Sequence, residues 1–351
     1  MDVVEIDGSY GEGGGQILRT ALALSAIRAV PIRVVRIRAR RRNPGLAAQH
    51  LATVRACAAI VDAEVSGASL GSTELFFRPR RPPRAGRYAF DIGAARRGGS
   101  AGAATLLLQT VLLALAFADG ASEVEVRGGT HVPWSPPFDY LESVWADALR
   151  EMGLRTELEL ARPGWYPAGG GRVRARVTGP VAFRPLVRTE RGLLRSVRGY
   201  ALSSKLAPHV LDRMARTCID TLAPLGVPVR IERQRPDASS PGAALTLVAQ
   251  YDGGRAGFSA LGERGLPAEE VARRACADLI AFHATEAAVD PHLADQLLLP
   301  CALASGPSRF TTSERTMHLV TNAWLLGRLG AASVGISPTE RGAYEVRIEP
   351  S

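Results

Sequence analysis

The stretch Asp7-Gly8-Ser9-Tyr10-Gly11-Glu12-Gly13-Gly14-Gly15-Gln16-Ile17-Leu18-Arg19 crowds four glycines around one carboxylate, and an apolar run with helical character, Ile17 to Ile27, follows directly. Glycine lets the backbone approach a ligand closely. The first-turn N–H groups of the following helix lack partners within it and point back at the loop. Together these features form a seat for phosphate. A carboxylate in such a seat repels an anion unless a divalent cation lies between them, so Glu12 reads as a metal ligand and Gly13 and Gly14 as phosphate contacts. The plain alternative is a glycine-rich turn before a helix. Gln16 and Arg19 fall in the first turn, at the ligand end.

Other groupings have the right residue types for chemistry. Arg38, Arg40, Arg41 and Arg42 precede the turn signal Pro44-Gly45; four arginines so close focus a strong positive field, or form a solvated basic loop. In Gly128-Gly129-Thr130-His131-Val132-Pro133-Trp134-Ser135-Pro136-Pro137, turn signals flank an aromatic, which suits a stacking platform or a rigid loop. Tyr166-Pro167-Ala168-Gly169-Gly170-Gly171 is a second glycine cluster. In Asp290-Pro291-His292-Leu293-Ala294-Asp295-Gln296-Leu297-Leu298, Asp290 reads as an N-cap and Pro291 as the first helical residue. His292, Asp295 and Gln296 then share a polar face, with Leu293, Leu297 and Leu298 on the buried side. In Arg315-Thr316-Met317-His318-Leu319-Val320-Thr321-Asn322, His318 opens an amphipathic helix, with Asn322 one turn on. The helix dipole there is expected to keep the imidazole neutral, its nucleophilic form.

Composition narrows the function classes. The chain has 351 residues, 46% of them hydrophobic, enough for a sizeable core and about two domains. No run approaches the roughly 18 apolar residues of a membrane span, and the start lacks a secretion signal. Four cysteines, Cys57, Cys218, Cys276 and Cys301, form no CxxC pair, so neither a zinc knuckle nor a disulfide framework is expected, and a reduced, cytoplasmic setting fits. The net charge is +9, and Lys205 is the only lysine among 43 basic residues. Genome composition or thermal adaptation accounts for part of that bias; arginine also binds phosphate bidentately and stacks on bases, so nucleic acid is an expected partner. Lys205 sits in Ser203-Ser204-Lys205-Leu206, not in the K-x-D-G context of a lysyl-AMP nucleotidyl transferase.

Periodicity orders the elements that must position these residues. The sequence predicts strand Val3–Ile6, helix Gln16–Ala29, strand Pro31–Ala39, helix Leu46–Ile60 carrying Gln49 and His50, and strands Glu64–Ser66 and Ser72–Arg78. The β-α-β-α-β-β order recurs: Tyr88–Ile92, Leu106–Phe117, Glu123–Arg127, Phe138–Met152, Thr156–Ala161 and Arg172–Val177. A third unit comprises helix Pro291–Ala304, strand Arg309–Thr312, helix Thr316–Leu329 and strands Ala332–Ser337 and Ala343–Ile348. Between units two and three lie strands Leu194–Ala201, Val227–Gln234, Ala244–Tyr251 and Gly257–Leu261 with helices Pro208–Ala223 and Pro267–Thr285. The expected architecture is α/β: three βαβαββ repeats forming a large domain (residues 1–183 and 287–351) with an inserted smaller α/β domain (184–286).

Taken together, DGSYGEGGGQILRTALALSA, IRARRRNPGLAAQHL, the apolar helix through Gln109, GGTHVPWSPPFDYL, YPAGGG, GFSALGERG, HLADQLLLP and TMHLVTN resemble the RNA 3′-terminal phosphate cyclase family over residues 7 to about 322. The resemblance implies the same repeats and insertion. It also implies an ATP-dependent conversion of an RNA 3′-phosphate end to a 2′,3′-cyclic phosphate through a histidyl-AMP and an RNA(3′)pp(5′)A intermediate. By position, His318 matches the nucleophile and Glu12 the ligand of a Mg²⁺ or Mn²⁺ ion. Gln109 and the turn Pro291, His292, Leu293, Ala294, Asp295, Gln296 match the adenylate pocket. Arg19, Arg38, Arg41, Gln49 and His50 match residues that grip the RNA terminal phosphate or the ATP phosphates, while Arg40 and Arg42 add field.

One departure stands out: Asp91-Ile92-Gly93 is followed by Ala94-Ala95-Arg96-Arg97-Gly98-Gly99 before Ser100-Ala101-Gly102, a few residues more than the family pattern. Three alternatives differ in what they predict. The non-cyclase branch of the family, which acts in ribosome assembly, lacks the nucleophile. An RNA-binding module shows salt-sensitive binding without ATP adducts. An enolpyruvyl-type transferase on the same repeat forms no covalent AMP.

Overall fold

Short strands whose apolar residues face one side, each joined to the next by an apolar helix, can bury those faces only by stacking sheet on helix. The computed structural model, which describes residues 2–95 and 100–351, does this three times. The first unit runs β1 (Val4–Asp7), α1 (Gly15–Arg28), β2 (Ile32–Val35), α2 (Ala48–Val61), β3 (Glu64–Ser66) and β4 (Leu75–Arg78). Its sheet order is β1-β2-β4-β3, with β1 and β2 parallel and the other neighbours antiparallel. A parallel pair needs a crossover, and α1 supplies it. Strand β2 ends four residues before the sequence pattern does. Arg36 (φ 53°) and Arg38 (φ 52°) adopt left-handed backbone, which breaks the pleat and turns the arginine run out of the sheet. Arg36 is held there by an ion pair with Asp7 at 2.7 Å.

The second unit comprises β5 (Arg87–Asp91), α3 (Ala104–Leu115), β6 (Gly120–Gly128), α4, β7 (Arg155–Arg162) and β8 (Gly171–Gly179), in the matching order β5-β6-β8-β7. Helix α4 is continuous through Phe138–Tyr140, a π turn at Leu141–Trp145 and Ala146–Glu151. Of the added loop, residues 96–99 lie outside the described residues.

The third unit contains a strand that periodicity missed. The two-residue β9 (Val187–Arg188) pairs in parallel with a strand more than a hundred residues later. The chain between forms a separate four-stranded sheet: β10 (Leu194–Ser204), α5 (His209–Leu222), β11 (Val229–Gln234), β12 (Gly242–Tyr251), β13 (Gly254–Leu261) and α6 (Ala268–His283), ordered β11-β10-β12-β13. Then α7 (Pro291–Ala302), β14 (Ser308–Thr312), α8 (Met317–Arg328), β15 (Ala332–Pro338) and β16 (Tyr344–Pro350) close the unit as β9-β14-β16-β15. A two-residue strand has too few positions to show a period, which explains its invisibility in the sequence.

One core joins the three repeated units, with the apolar α3 at its centre; Leu107, Leu108, Val111 and Leu112 are fully covered. The inserted sheet has its own core, built from Leu211, Met214, Leu245, Leu247, Val271 and Leu279. The four cysteines are unpaired and buried. Among the described residues no helix is long and apolar enough to cross a membrane.

Candidate active site

A cavity of about 640 Å³ opens where the ends of these elements converge. Its wall takes the start of α1, the loop with Arg38 and Arg41, the start of α2, one face of α3, the segment Trp134–Pro137, and the first turns of α7 and α8. Helix N-termini dominate the lining. Their free N–H groups and dipoles favour an anion there.

His318 sits in the first turn of α8, whose N-cap is Thr316; the Thr316 hydroxyl accepts from Leu319 N–H at 3.1 Å. Its imidazole is half-exposed and held from both sides. Nδ1 lies 2.6 Å from Gln16 Oε1. The Gln16 amide is oriented by its other end, since Nε2 donates to Asp295 Oδ2 at 2.7 Å and to the His318 carbonyl at 3.2 Å. The amide nitrogen faces the carboxylate, so the amide oxygen faces the ring. Nδ1 therefore carries the proton, and in the neutral ring Nε2 keeps the lone pair that faces the cavity.

Nε2 lies 2.6 Å from Glu12 Oε2, a buried oxygen with no other partner. Arg41 takes the other oxygen. His318 and Arg41 hold the Glu12 carboxyl below its usual range against the opposing effect of burial. Reciprocally, Glu12 above all, with Asp295, raises His318, against burial and Arg19. This reverses the expectation that the helix dipole keeps His318 neutral: a carboxylate in contact outweighs a partial charge at the helix end. Asp295 is pushed up to about 6 by burial, despite the opposing pull of His318, His292 and Arg19.

The basic wall is also ordered. Burial lowers Arg19 to about 10, which leaves it charged at neutral pH. Arg38 is anchored by donating to Gly45 O at 2.8 Å; burial, and then the nearby Arg41 charge, lowers its pKa. His50 Nδ1 accepts from Ala47 N–H at 3.1 Å, so its proton is on Nε2. Burial, then Arg19 and Arg38, pushes His50 down to about 3, so it is a neutral donor at working pH. Gly15 must be glycine for this arrangement: a Cβ there would meet His50 Nε2 at 2.1 Å. Gln49 Oε1 accepts from Ala103 N–H at 3.0 Å, which ties α2 to the start of α3.

Opposite lies the first turn of α7. As the sequence predicts, Asp290 caps it, accepting from His292 and Leu293 N–H at 3.1 and 2.9 Å. Pro291, His292, Asp295 and Gln296 line the cavity, and Gln109 Nε2 donates to Gln296 Oε1 at 2.7 Å. Leu293 and Ala294 face the core and Gly13 is buried against Ser9, so these three do not line it, whereas Gly14 does. Sequence reasoning missed Tyr140, Trp145, Thr20 and Ser259, which all reach the wall. Ser259 comes from β13, so the inserted sheet contributes to the site; one serine in an alternating strand carried no signal. Tyr140 donates to Asp290 at 2.8 Å, which links α4 to α7.

Among the described residues no three His, Cys, Asp or Glu side chains form a metal cage. The donor set still fits a divalent cation of the Mg²⁺ type, which takes one or two carboxylates and completes its shell with phosphate and water. Glu12 Oε2, buried and touched only by His318 Nε2, is the oxygen that would face it.

Comparison with known proteins gives a consistent result. A family profile described as RNA 3′-terminal phosphate cyclase matches residues 10–336. A protein from Methylococcus capsulatus named RNA 3′-terminal phosphate cyclase is 52% identical over 99% of this chain and 97% of its own length. Proteins of the same name from Gloeothece citriformis (48% identity, 97% of each chain) and Methanopyrus kandleri (45% identity, 100% of this chain and 99% of the relative) match equally completely.

Proposed function

The chain belongs to the RNA 3′-terminal phosphate cyclase family, and from that premise we propose that it converts an RNA 3′-phosphate to a 2′,3′-cyclic phosphate with ATP as co-substrate. The observation that carries this reading is the placement of His318 in an arginine-lined cavity with Nδ1 held 2.6 Å from Gln16 Oε1, which leaves Nε2 as the nucleophile of the neutral ring. In the first step Nε2 attacks the α-phosphorus of ATP, the P–O bond to pyrophosphate breaks, and a histidyl-AMP forms. An oxygen of the RNA 3′-phosphate then attacks that phosphorus and displaces His318, giving RNA(3′)pp(5′)A. Finally the 2′-OH attacks the RNA phosphorus and AMP departs. The ribose itself holds the 2′-OH beside its target, so proximity drives closure, and DNA, which lacks that hydroxyl, cannot be cyclised. Splitting the reaction turns a poor phosphate leaving group into a good one.

Arg19, Arg38, Arg41, Gln49 and the neutral His50 hold the phosphates, and Gly14 with the start of α1 offers backbone N–H groups. His292, Asp295, Gln296 and Gln109 hold the adenylate. A Mg²⁺ or Mn²⁺ ion held by Glu12 would neutralise phosphate charge as the first step proceeds. Residues 1–183 and 287–351 are read as the catalytic domain of three repeats and 184–286 as the inserted domain, whose first residues lend β9 to the third sheet. Four unpaired cysteines fit a cytoplasmic setting.

The test is incubation with α-labelled ATP and Mg²⁺ followed by a denaturing gel. Wild type is expected to carry an acid-labile, alkali-stable label that His318→Ala lacks. A labelled mutant refutes the nucleophile, and an unlabelled wild type favours an RNA-binding or assembly role.

A further inference from the structure

The chemistry above leaves the Thr130–Pro137 segment unused. Within it Trp134 is 95% exposed, while no other large apolar side chain among the described residues exceeds 66%. The other tryptophans are covered: Trp145 and Trp165 are buried, and Trp324 stacks on Tyr10 at 3.9 Å. Trp134 also adopts left-handed backbone, φ 60°, a conformation that bulky residues rarely keep without a functional reason. Its loop is stiff. Pro133, Pro136 and Pro137 fix their own φ angles, and the Ser135 hydroxyl donates to Val132 O at 2.9 Å. An indole held open to water on a rigid turn is not a folding device. It lines the same cavity as Arg41 and His318.

We propose that Trp134 is a stacking platform for a nucleobase in the last two nucleotides of the RNA whose 3′-phosphate enters the cavity. This rests on the cyclase reading. A mononucleotide can be enclosed, but a polymer whose end is buried must leave through the mouth, where an almost fully exposed ring stands. Stacking tolerates any base because every base has a π-face, which suits an enzyme that reads a chemical end and not a sequence. ATP, by contrast, has the polar first turn of α7 and Gln109 on the same wall.

The test uses the full-length protein, ATP, Mg²⁺ and 3′-phosphorylated oligoribonucleotides that are intact or abasic at the last or the penultimate position. Trp134→Ala is expected to raise KM for intact RNA roughly 5- to 150-fold, the range for losing one base–aromatic stack. Self-labelling by ATP alone keeps its rate, and Trp134→Phe restores most of the loss. One abasic substitution raises the wild-type KM similarly and has no further effect in Trp134→Ala. An unchanged RNA KM in Trp134→Ala, or abasic sensitivity that persists in it, overturns the proposal. So does a raised ATP requirement for self-labelling with RNA KM unchanged, which would assign the ring to adenine. A wild type that cyclises RNA while any of these results holds refutes the platform alone. A wild type that never labels with ATP refutes the cyclase reading and the platform with it.

Discussion

Replacing Gln16 by leucine removes the amide that links Asp295 to His318 and keeps a side chain of similar length. Gln16 is buried, and its amide makes contacts of 2.6 Å to His318 Nδ1 and 2.7 Å to Asp295 Oδ2. As Nε2 attacks phosphorus, positive charge develops on the imidazole, and the hydrogen bond from Nδ1–H to Gln16 Oε1 strengthens. A hydrogen bond to a charged group contributes roughly 1.5–3 kcal/mol, so its loss in the transition state corresponds to about a 10- to 150-fold slower adenylation. The neutral ring also loses the partner that selects its tautomer, which acts in the same direction. The assay is single-turnover self-labelling with α-labelled ATP across a range of concentrations. The expected signature is a fall in the limiting rate with little change in the half-saturating ATP concentration, because the interaction is gained in the transition state. A thermal melt close to that of wild type separates this from misfolding. A Gln16→Leu protein that labels within about twofold of wild type refutes the derivation of the Nδ1 proton.

Two other perturbations test the electrostatics and the scaffold. Because Glu12 raises His318 above its ordinary 6.5, the neutral nucleophile disappears early on acidification, and self-labelling falls as pH drops through that raised value. Glu12→Gln is expected to lower the His318 pKa read by NMR titration of the metal-free protein; an unchanged titration refutes the coupling. Asp290 is fully buried and accepts from Tyr140 Oη, Gly257 N, His292 N and Leu293 N. Asp290→Ala is therefore expected to cost about 3 kcal/mol or more in denaturant unfolding, from a lost cap and orphaned buried donors. A loss below about 1 kcal/mol would mean that those donors find water instead.

Helices that announced themselves by caps were legible. Asp290-Pro291 marks the start of α7, and the polar face His292, Asp295, Gln296 follows from helical spacing alone. The strand after α1 is shorter than its alternation implies, because hydrophobic alternation continues through Ile37 while the left-handed Arg36 and Arg38 break the pleat. Strand β9 was invisible because two residues exist as a strand only through their partners in β14. The electrostatics of His318 also differ from what its helix position implies. Its helix position is local information, whereas the carboxylate that raises it arrives from Glu12, about three hundred residues earlier in the chain.

Spacing along the chain is enough for the local pieces: a glycine loop before a helix, an arginine run, capped helices, and the residue types for phosphoryl transfer. These depend on neighbours a few positions apart, whose preferences the backbone expresses directly. Packing between distant segments settles which groups hold the two nitrogens of His318, that His50 is a neutral donor, that Leu293 and Ala294 belong to the core, and that Ser259 of the inserted sheet reaches the wall. Each of these is a matter of burial or of contact between distant segments. Proton positions and pKa values follow from the groups that surround a side chain in space, and sequence spacing does not encode them.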